Sequence, residues 1–221
     1  MLTQDSNVLT SLFGSTKSSI LEYLCRYEAS MDDLARTLGV NKNAVKEHME
    51  YLENRGYVRS YFRNEGVGRP RKYYELTEKG FELFPKKYSL FAGLLIEVLQ
   101  EDLGSDRVDE ILNRVALRIL QKTSYDSQSD HSYSRDEKIR RLEDFVSALN
   151  ELGYYARLEI LGDTVRIIRS NCVFYEIAKN NSGKICGSLD SDIIRNSTGN
   201  DFSIVEKFTN GSRKCVVELR L

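Results

Sequence analysis

The chain has 221 residues, of which 41% are hydrophobic and 29% charged, and its net charge at pH 7 is −1. That is enough apolar material for real cores and enough charge for a soluble protein, in one large domain or two small ones. The near-zero balance excludes binding to a polyanion through bulk charge, so any nucleic-acid affinity must come from a local basic cluster.

The opening MLTQDSNVLTSLFGSTKSSI has no basic region followed by an apolar core, and residues 1–14 read as loosely ordered. No apolar run approaches the roughly 20 residues that span a bilayer. We therefore expect a cytoplasmic protein whose cysteines stay reduced. Lys17–Tyr27 is a helix with Ile20, Leu21, Leu24 and Cys25 on one side, which makes Cys25 a packing thiol. Ser30 caps a second helix, Met31–Leu38, and Gly39-Val40 is a tight turn. Asn41 sits where an N-cap belongs, and Val45, Met49 and Leu52 then recur at helical spacing. Lys42, Asn43 and Lys46 lie off that apolar face, near the end that a helix-turn-helix protein inserts into the major groove. Gly56 ends the helix, and Tyr57–Arg63 alternates as a strand does.

Asn64–Lys72 follows as a turn rich in glycine and basic residues. Over 55–72 the charges are Arg55, Arg59, Arg63, Arg69, Arg71 and Lys72 against Glu65. Three helices and a basic hairpin in this order make a winged helix-turn-helix. We assign Asn41, Lys42, Asn43, Lys46, Arg63, Arg69, Arg71 and Lys72 to the DNA interface. Lys42, Asn43 and Lys46 are set to read bases and the wing residues to hold phosphates, with Arg69 the one to enter the minor groove.

Pro85 opens a helix reaching about 102, with Tyr88, Phe91, Leu94, Leu95, Val98 and Leu99. Residues 106–122 repeat the theme with Val108, Ile111, Leu112, Val115, Ile119 and Leu120. Stripes this wide must be buried, either against the rest of the chain or in a homodimer, which a two-fold operator favours. The Ser-rich 123–134 reads as a linker that includes His131. A helix at 135–152 then precedes two hairpins, Tyr155–Leu161 with Thr164–Arg169 and Asp201–Phe208 with Lys214–Leu221. Short helices are expected at Cys172–Ala178 and Ile185–Arg195. The fold expected is α+β. It comprises a winged helix-turn-helix (1–84), paired dimerisation helices (85–122), a linker (123–134) and a C-terminal sensor domain with a small antiparallel sheet (135–221).

Cys172, Cys186 and Cys215 all fall in that last domain, each at an expected element end. None belongs to a C-x-x-C pair, so spacing leaves both a shared metal or cluster site and three separate packing thiols open. No phosphate-binding glycine loop, H-E-x-x-H or G-x-S-x-G is present. With His48 and His131 the only histidines, an enzyme is not expected.

The run GRPRKYYELTEKG, the paired helices after it and the tail NCVFYEIA…C…GSRKCVVEL together resemble the SufR-type regulators, winged-helix repressors of the iron–sulfur cluster assembly operon. The resemblance spans most of residues 15–221. Its first stretch is shared with many winged-helix regulators, and the three-cysteine tail is the specific part. It implies a homodimeric DNA-binding repressor in which Cys172, Cys186 and Cys215 ligate an iron–sulfur cluster, [4Fe-4S] or else [2Fe-2S], whose state sets operator affinity. Val173 stands where these proteins usually carry proline, and Phe202–Lys214 lacks the additional cysteine some of them have. A fourth ligand is left open among a carboxylate, His131, solvent, a small thiol and a residue of the partner subunit. Zinc or an organic effector in the sensor domain, or purely structural cysteines, are the alternatives.

Overall fold

The computed structural model describes residues 4–64, 66, 68–125, 134–199 and 202–221. Most of the expected linker, with His131, and the wing residues Glu65 and Val67 lie outside the described residues. The chain divides into two compact units, Met1–Lys86 and Lys87–Leu221.

The first unit begins with helix α1 (Gln4–Phe13), where the sequence suggested loose order. Its composition is polar, but Leu9 is buried and α1 packs along helix α2 (Ser15–Leu24). The tertiary contact outweighs a weak local pattern. Strand β1 (Ala29–Ser30) leads into helix α3 (Met31–Leu38). Ser30 and Asp33 form a reciprocal capping box there, and Gly39 ends the helix in the left-handed region at φ 63°. Helix α4 (Lys42–Asn54) starts at Asn41, whose side-chain oxygen accepts from the Asn43 N–H at 2.8 Å. Its buried residues are Val45, Met49 and Leu52, and these meet Ile20, Leu21, Leu24 and Leu34 in one core. Cys25 is half-buried at the edge of that core rather than inside it.

Strands β2 (Val58–Arg63) and β3 (Arg71–Leu76) form the wing, with β1 on the other edge of β3. Helix α5 (Glu78–Phe81) packs under them. A Cβ at Gly80 would stand 2.1 Å from the Tyr57 carbonyl oxygen, so only glycine fits there.

The second unit opens with helix α6 (Tyr88–Leu103), three residues later than Pro85 suggested. Lys86 and Lys87 would sit at the positive end of the helix dipole and are left outside it. Lys86 Nζ instead donates to the Phe81 carbonyl at 2.8 Å. Helix α7 (Ser105–Leu120) buries Val108, Leu112, Ala116 and Leu120 in the same core as Phe145, Leu149 and the sheet. The two expected dimerisation helices thus differ: α7 belongs to the core of the C-terminal unit, and α6 leaves much of its apolar surface uncovered.

Helix α8 (Arg135–Glu151) is started by a Ser134–Glu137 capping box. Strands β4 (Ala156–Leu161) and β5 (Thr164–Arg169) follow, joined by the two-residue turn Gly162-Asp163. Helices α9 (Tyr175–Ala178) and α10 (Ser182–Lys184) lead into a single π-helical turn, Ile185–Leu189, which runs into α11 (Asp190–Thr198). The helix expected at 185–195 therefore begins with a π-turn. Strands β6 (Phe202–Glu206) and β7 (Cys215–Arg220) complete an antiparallel sheet of order β4-β5-β7-β6. The C-terminal unit is the small antiparallel sheet with helices that the sequence indicated.

Candidate nucleic-acid interface and cysteine pocket

The two candidate sites lie in different units and are built differently. On α4, Lys42, Asn43 and Lys46 are exposed, opposite the buried face. Asn41 is exposed too, but its oxygen is committed to the helix cap. Lys42 pairs with Asp32 at 2.7 Å and Lys46 with Glu50 at 3.8 Å. Both pairs are solvated and so hold by about 0–1 kcal/mol, little enough for a phosphate to displace the carboxylate.

The wing carries more internal pairing than its composition suggested. Arg63 and Arg71 are directly opposed in the β2–β3 register. Like charges so placed repel, and each is met by a carboxylate. Arg63 bonds Glu28, with its guanidinium 4.6 Å from the Tyr73 ring centre, and Arg71 lies 3.5 Å from Asp33. Arg63 holds the Glu28 carboxyl below its usual pKa. Arg59 pairs with Glu75 at 2.7 Å and Lys72 with Glu53 at 3.5 Å. Arg63 is thus tied to the wing stem, whereas Arg69 is exposed at the turn.

In the C-terminal unit, β5 places Val165, Ile167 and Arg169 on one face by strand alternation. Their partners on β7 are Leu219, Val217 and Cys215. All six are buried. Arg169 and Cys215 are therefore cross-strand neighbours at one end of the inward face. Cys172 follows β5 by three residues, and Cys186 sits in the π-turn. All three cysteines line a single pocket with Arg169, Asp190, Tyr154 and Lys207. They come from three separate stretches of chain, so only the sheet and the π-turn bring them together.

The Phe208 backbone N–H donates to Cys215 Sγ at 3.3 Å. Burial pushes the Cys172 thiol up to about 11 and raises Cys186 and Cys215 as well. Without a bound cation all three are neutral thiols at pH 7, and metal binding displaces their protons.

At the pocket floor Arg169 Nη1 donates to both Asp190 oxygens at 2.7 and 2.9 Å, and Tyr154 donates its hydroxyl to Asp190 Oδ1 at 3.1 Å. Burial works against the Arg169 charge, but Asp190 outweighs it and holds the guanidinium protonated. Burial likewise raises the Tyr154 phenol well above its ordinary range. Sequence reasoning missed this trio. The available signal was a charged residue in phase with Val165 and Ile167, at the end of a strand and three residues before a cysteine.

The π-turn is also anchored on its far side. Lys184 Nζ donates to Asp109 Oδ1 at 2.7 Å and to the Ser105 hydroxyl and carbonyl at 2.6 and 3.0 Å, and Ser188 donates to Asp109 at 2.5 Å. Residues on both sides of Cys186 are thereby fixed to α7.

Among the described residues no three His, Cys, Asp or Glu side chains are gathered to hold one metal ion. A tetrahedral zinc, with Zn–S bonds of about 2.3 Å, would draw its sulfurs to within about 4 Å of one another. Cys172, Cys186 and Cys215 are soft donors of the type that an iron–sulfur cluster takes, usually four at a time, so a cluster here would need one further ligand.

Residues 14–60 match the family model described as bacterial regulatory protein, arsR family. The N-terminal unit carries a DNA-binding helix-turn-helix domain. The match runs from the start of α2 through α4 into β2, and so contains the recognition helix but not the wing turn. Solved structures give weak likenesses. ZitR from Lactococcus lactis, an apo-form mutant, is 18% identical, with 67% of this chain and 86% of that chain covered at a TM-score of 0.30. AdcR, the adhesin competence repressor of Streptococcus pyogenes, is 20% identical over 67% and 90% of the two chains, also at 0.30. PadR of Bacillus subtilis, in complex with operator DNA, is 20% identical over 63% and 91%, at 0.28. No curated protein matches the chain. Among the described residues no helix is long and apolar enough to cross a membrane.

Proposed function

We propose that this chain is a homodimeric, non-catalytic repressor of the SufR type, acting in the cytoplasm, whose C-terminal unit holds an iron–sulfur cluster through Cys172, Cys186 and Cys215. The observation that carries the reading is the convergence of the three tail cysteines on one pocket, with the Phe208 N–H donating to the Cys215 sulfur. An N–H donor at a thiolate sulfur is the outer-shell support such a ligand needs.

When bound, the cluster supplies a redox-sensitive bond joining the end of β5, the π-turn and β7. The chain's own residues carry the consequence. Cys186 lies in the π-turn, Lys184 and Ser188 fix that turn to Asp109 of α7, and α7 packs against α6. A shift of the π-turn therefore reaches α6, the helix with the free apolar face, and through the dimer alters the presentation of the two recognition helices. Coupling between distant sites of this kind is typically worth about 1–3 kcal/mol.

The test is anaerobic purification with iron, sulfide and zinc analysis of one sample. The wild type is expected to carry matched iron and sulfide. Cys172→Ser, Cys186→Ser and Cys215→Ser each are expected to lose most of both while retaining the wild-type circular dichroism spectrum. Zinc without sulfide, or iron retained in all three variants, contradicts the proposal.

On the DNA side, Lys42, Asn43 and Lys46 address base edges, and Arg69, Arg71 and Lys72 address phosphates of a two-fold operator. Arg69→Ala is expected to weaken binding to all duplexes alike and to lower the slope of log affinity against log salt by about one. An unchanged slope in a salt titration removes Arg69 from the interface.

A further inference from the structure

The cysteine pocket contains a group that its ligand set does not account for. Arg169 is 2% exposed and lines the pocket, yet its Nε–H has no hydrogen-bond partner. A buried guanidinium N–H left unpaired is costly, and in native proteins it calls for a specific reason. A structural ion pair with Asp190 would account for Nη1, which takes both carboxylate oxygens. It does not account for burying the Nε–H without a partner on a residue that shares its pocket with three cysteines.

Charge points the same way. Arg169 and Asp190 together are neutral, and so are three protonated thiols. Once the three cysteines ligate a cluster as thiolates, they outweigh the charge of the core and the pocket gains net negative charge. Lys207, the other cation lining the pocket, is only half-buried and is screened by solvent. Arg169 is the desolvated cation, held in place by Asp190 and, through Asp190, by Tyr154.

We infer that Arg169 is the anion-recognising residue of this pocket, its unpaired Nε–H donating to the thiolate or sulfide face of the bound iron–sulfur group and its charge offsetting that group's negative charge. The inference rests on the cluster reading above and assigns a role to a residue outside the ligand set. A donor and a positive charge at the sulfurs stabilise the reduced, more negative state and so raise the reduction potential. Asp190 has the opposite influence, because its carboxylate cancels the charge of Arg169.

The test uses the full chain reconstituted anaerobically with iron and sulfide, comparing wild type, Arg169→Gln, Arg169→Lys and Asp190→Asn. The readouts are the midpoint potential and the rate of cluster loss to EDTA. Arg169→Gln is expected to take up iron and sulfide but to show a more negative potential. At the wild-type midpoint its reduced-to-oxidised ratio should fall about tenfold, which is 59 mV for a one-electron couple. It is also expected to lose its cluster to EDTA several-fold faster. Arg169→Lys, which keeps the charge without the fixed Nε–H, is expected to shift in the same direction by less. Asp190→Asn is expected to shift the potential the other way. A purely structural role would move the Gln and Asn variants in one direction by loosening the pocket, and that outcome overturns the inference, as do wild-type potentials in both. A wild-type chain that takes up no iron and sulfide overturns the cluster reading and this inference with it. A loaded wild type with unresponsive variants overturns this inference alone.

Discussion

Asp190→Ala is expected to destabilise the C-terminal unit by about 3–5 kcal/mol, the range for removing one partner of a buried ion pair. The substitution strands the Arg169 guanidinium, which is 2% exposed and bonds both Asp190 oxygens. It also leaves the Tyr154 hydroxyl without its acceptor. The loss should be read as a lowered urea midpoint, with faster hydrogen exchange at the β5 and β7 amides and unchanged exchange in α4. The double variant Arg169→Met with Asp190→Leu removes both charges and is expected to recover most of the loss, since well-packed apolar residues often replace a buried pair at no cost. If Asp190→Ala unfolds at the wild-type midpoint, water reaches the guanidinium in the folded state and Arg169 does not depend on Asp190 for its charge.

The second large effect concerns α6. Phe91 is 70% exposed, and Leu94, Leu95 and Val98 are 46–51% exposed. Their spacing of three and four residues along one helix is that of a seam between helices. No charged residue interrupts Tyr88–Ile96. Such a seam is self-complementary across a two-fold axis, and a second copy of the chain is the occupant we propose. Burying Phe91 is worth about 1.5–3 kcal/mol per copy, hence about 3–6 kcal/mol per dimer. Phe91→Glu is therefore expected to raise the dimer dissociation constant at least ~100-fold, at about 1.4 kcal/mol per factor of ten. It is also expected to abolish binding to a two-site operator while leaving half-site contacts intact. Sedimentation analysis over a concentration series decides this, and a variant that dimerises as tightly as wild type refutes the α6 interface.

Much of this architecture is local and was legible in the residues. The capping Ser30 and Asn41, the stops at Gly39 and Gly56, and the period of Val45, Met49 and Leu52 act within a few residues of where they stand. The Gly162-Asp163 turn likewise sets the β4–β5 register by itself. Where the local signal was weak, a distant contact decided. α1 is held by the burial of Leu9 and its packing on α2, and the lysines after Pro85 delayed the start of α6. The wing's positive charge was legible as composition. Its pairing with Glu28, Asp33 and Glu53 was not, because those carboxylates lie on other elements.

By itself, the sequence determined the helix-turn-helix and wing, the α+β character of the C-terminal unit and the chemical types available to a site, because caps, turns and hydrophobic periods are short-range. The tertiary structure alone decided which apolar helix stays uncovered and that Cys172, Cys186 and Cys215 share a pocket with Arg169. Those facts depend on pairing β5 with β7 across 45 or more residues of intervening chain and on seating the π-turn against α7. Contacts at that separation arise from how whole elements pack, and no spacing within a strand or helix encodes them.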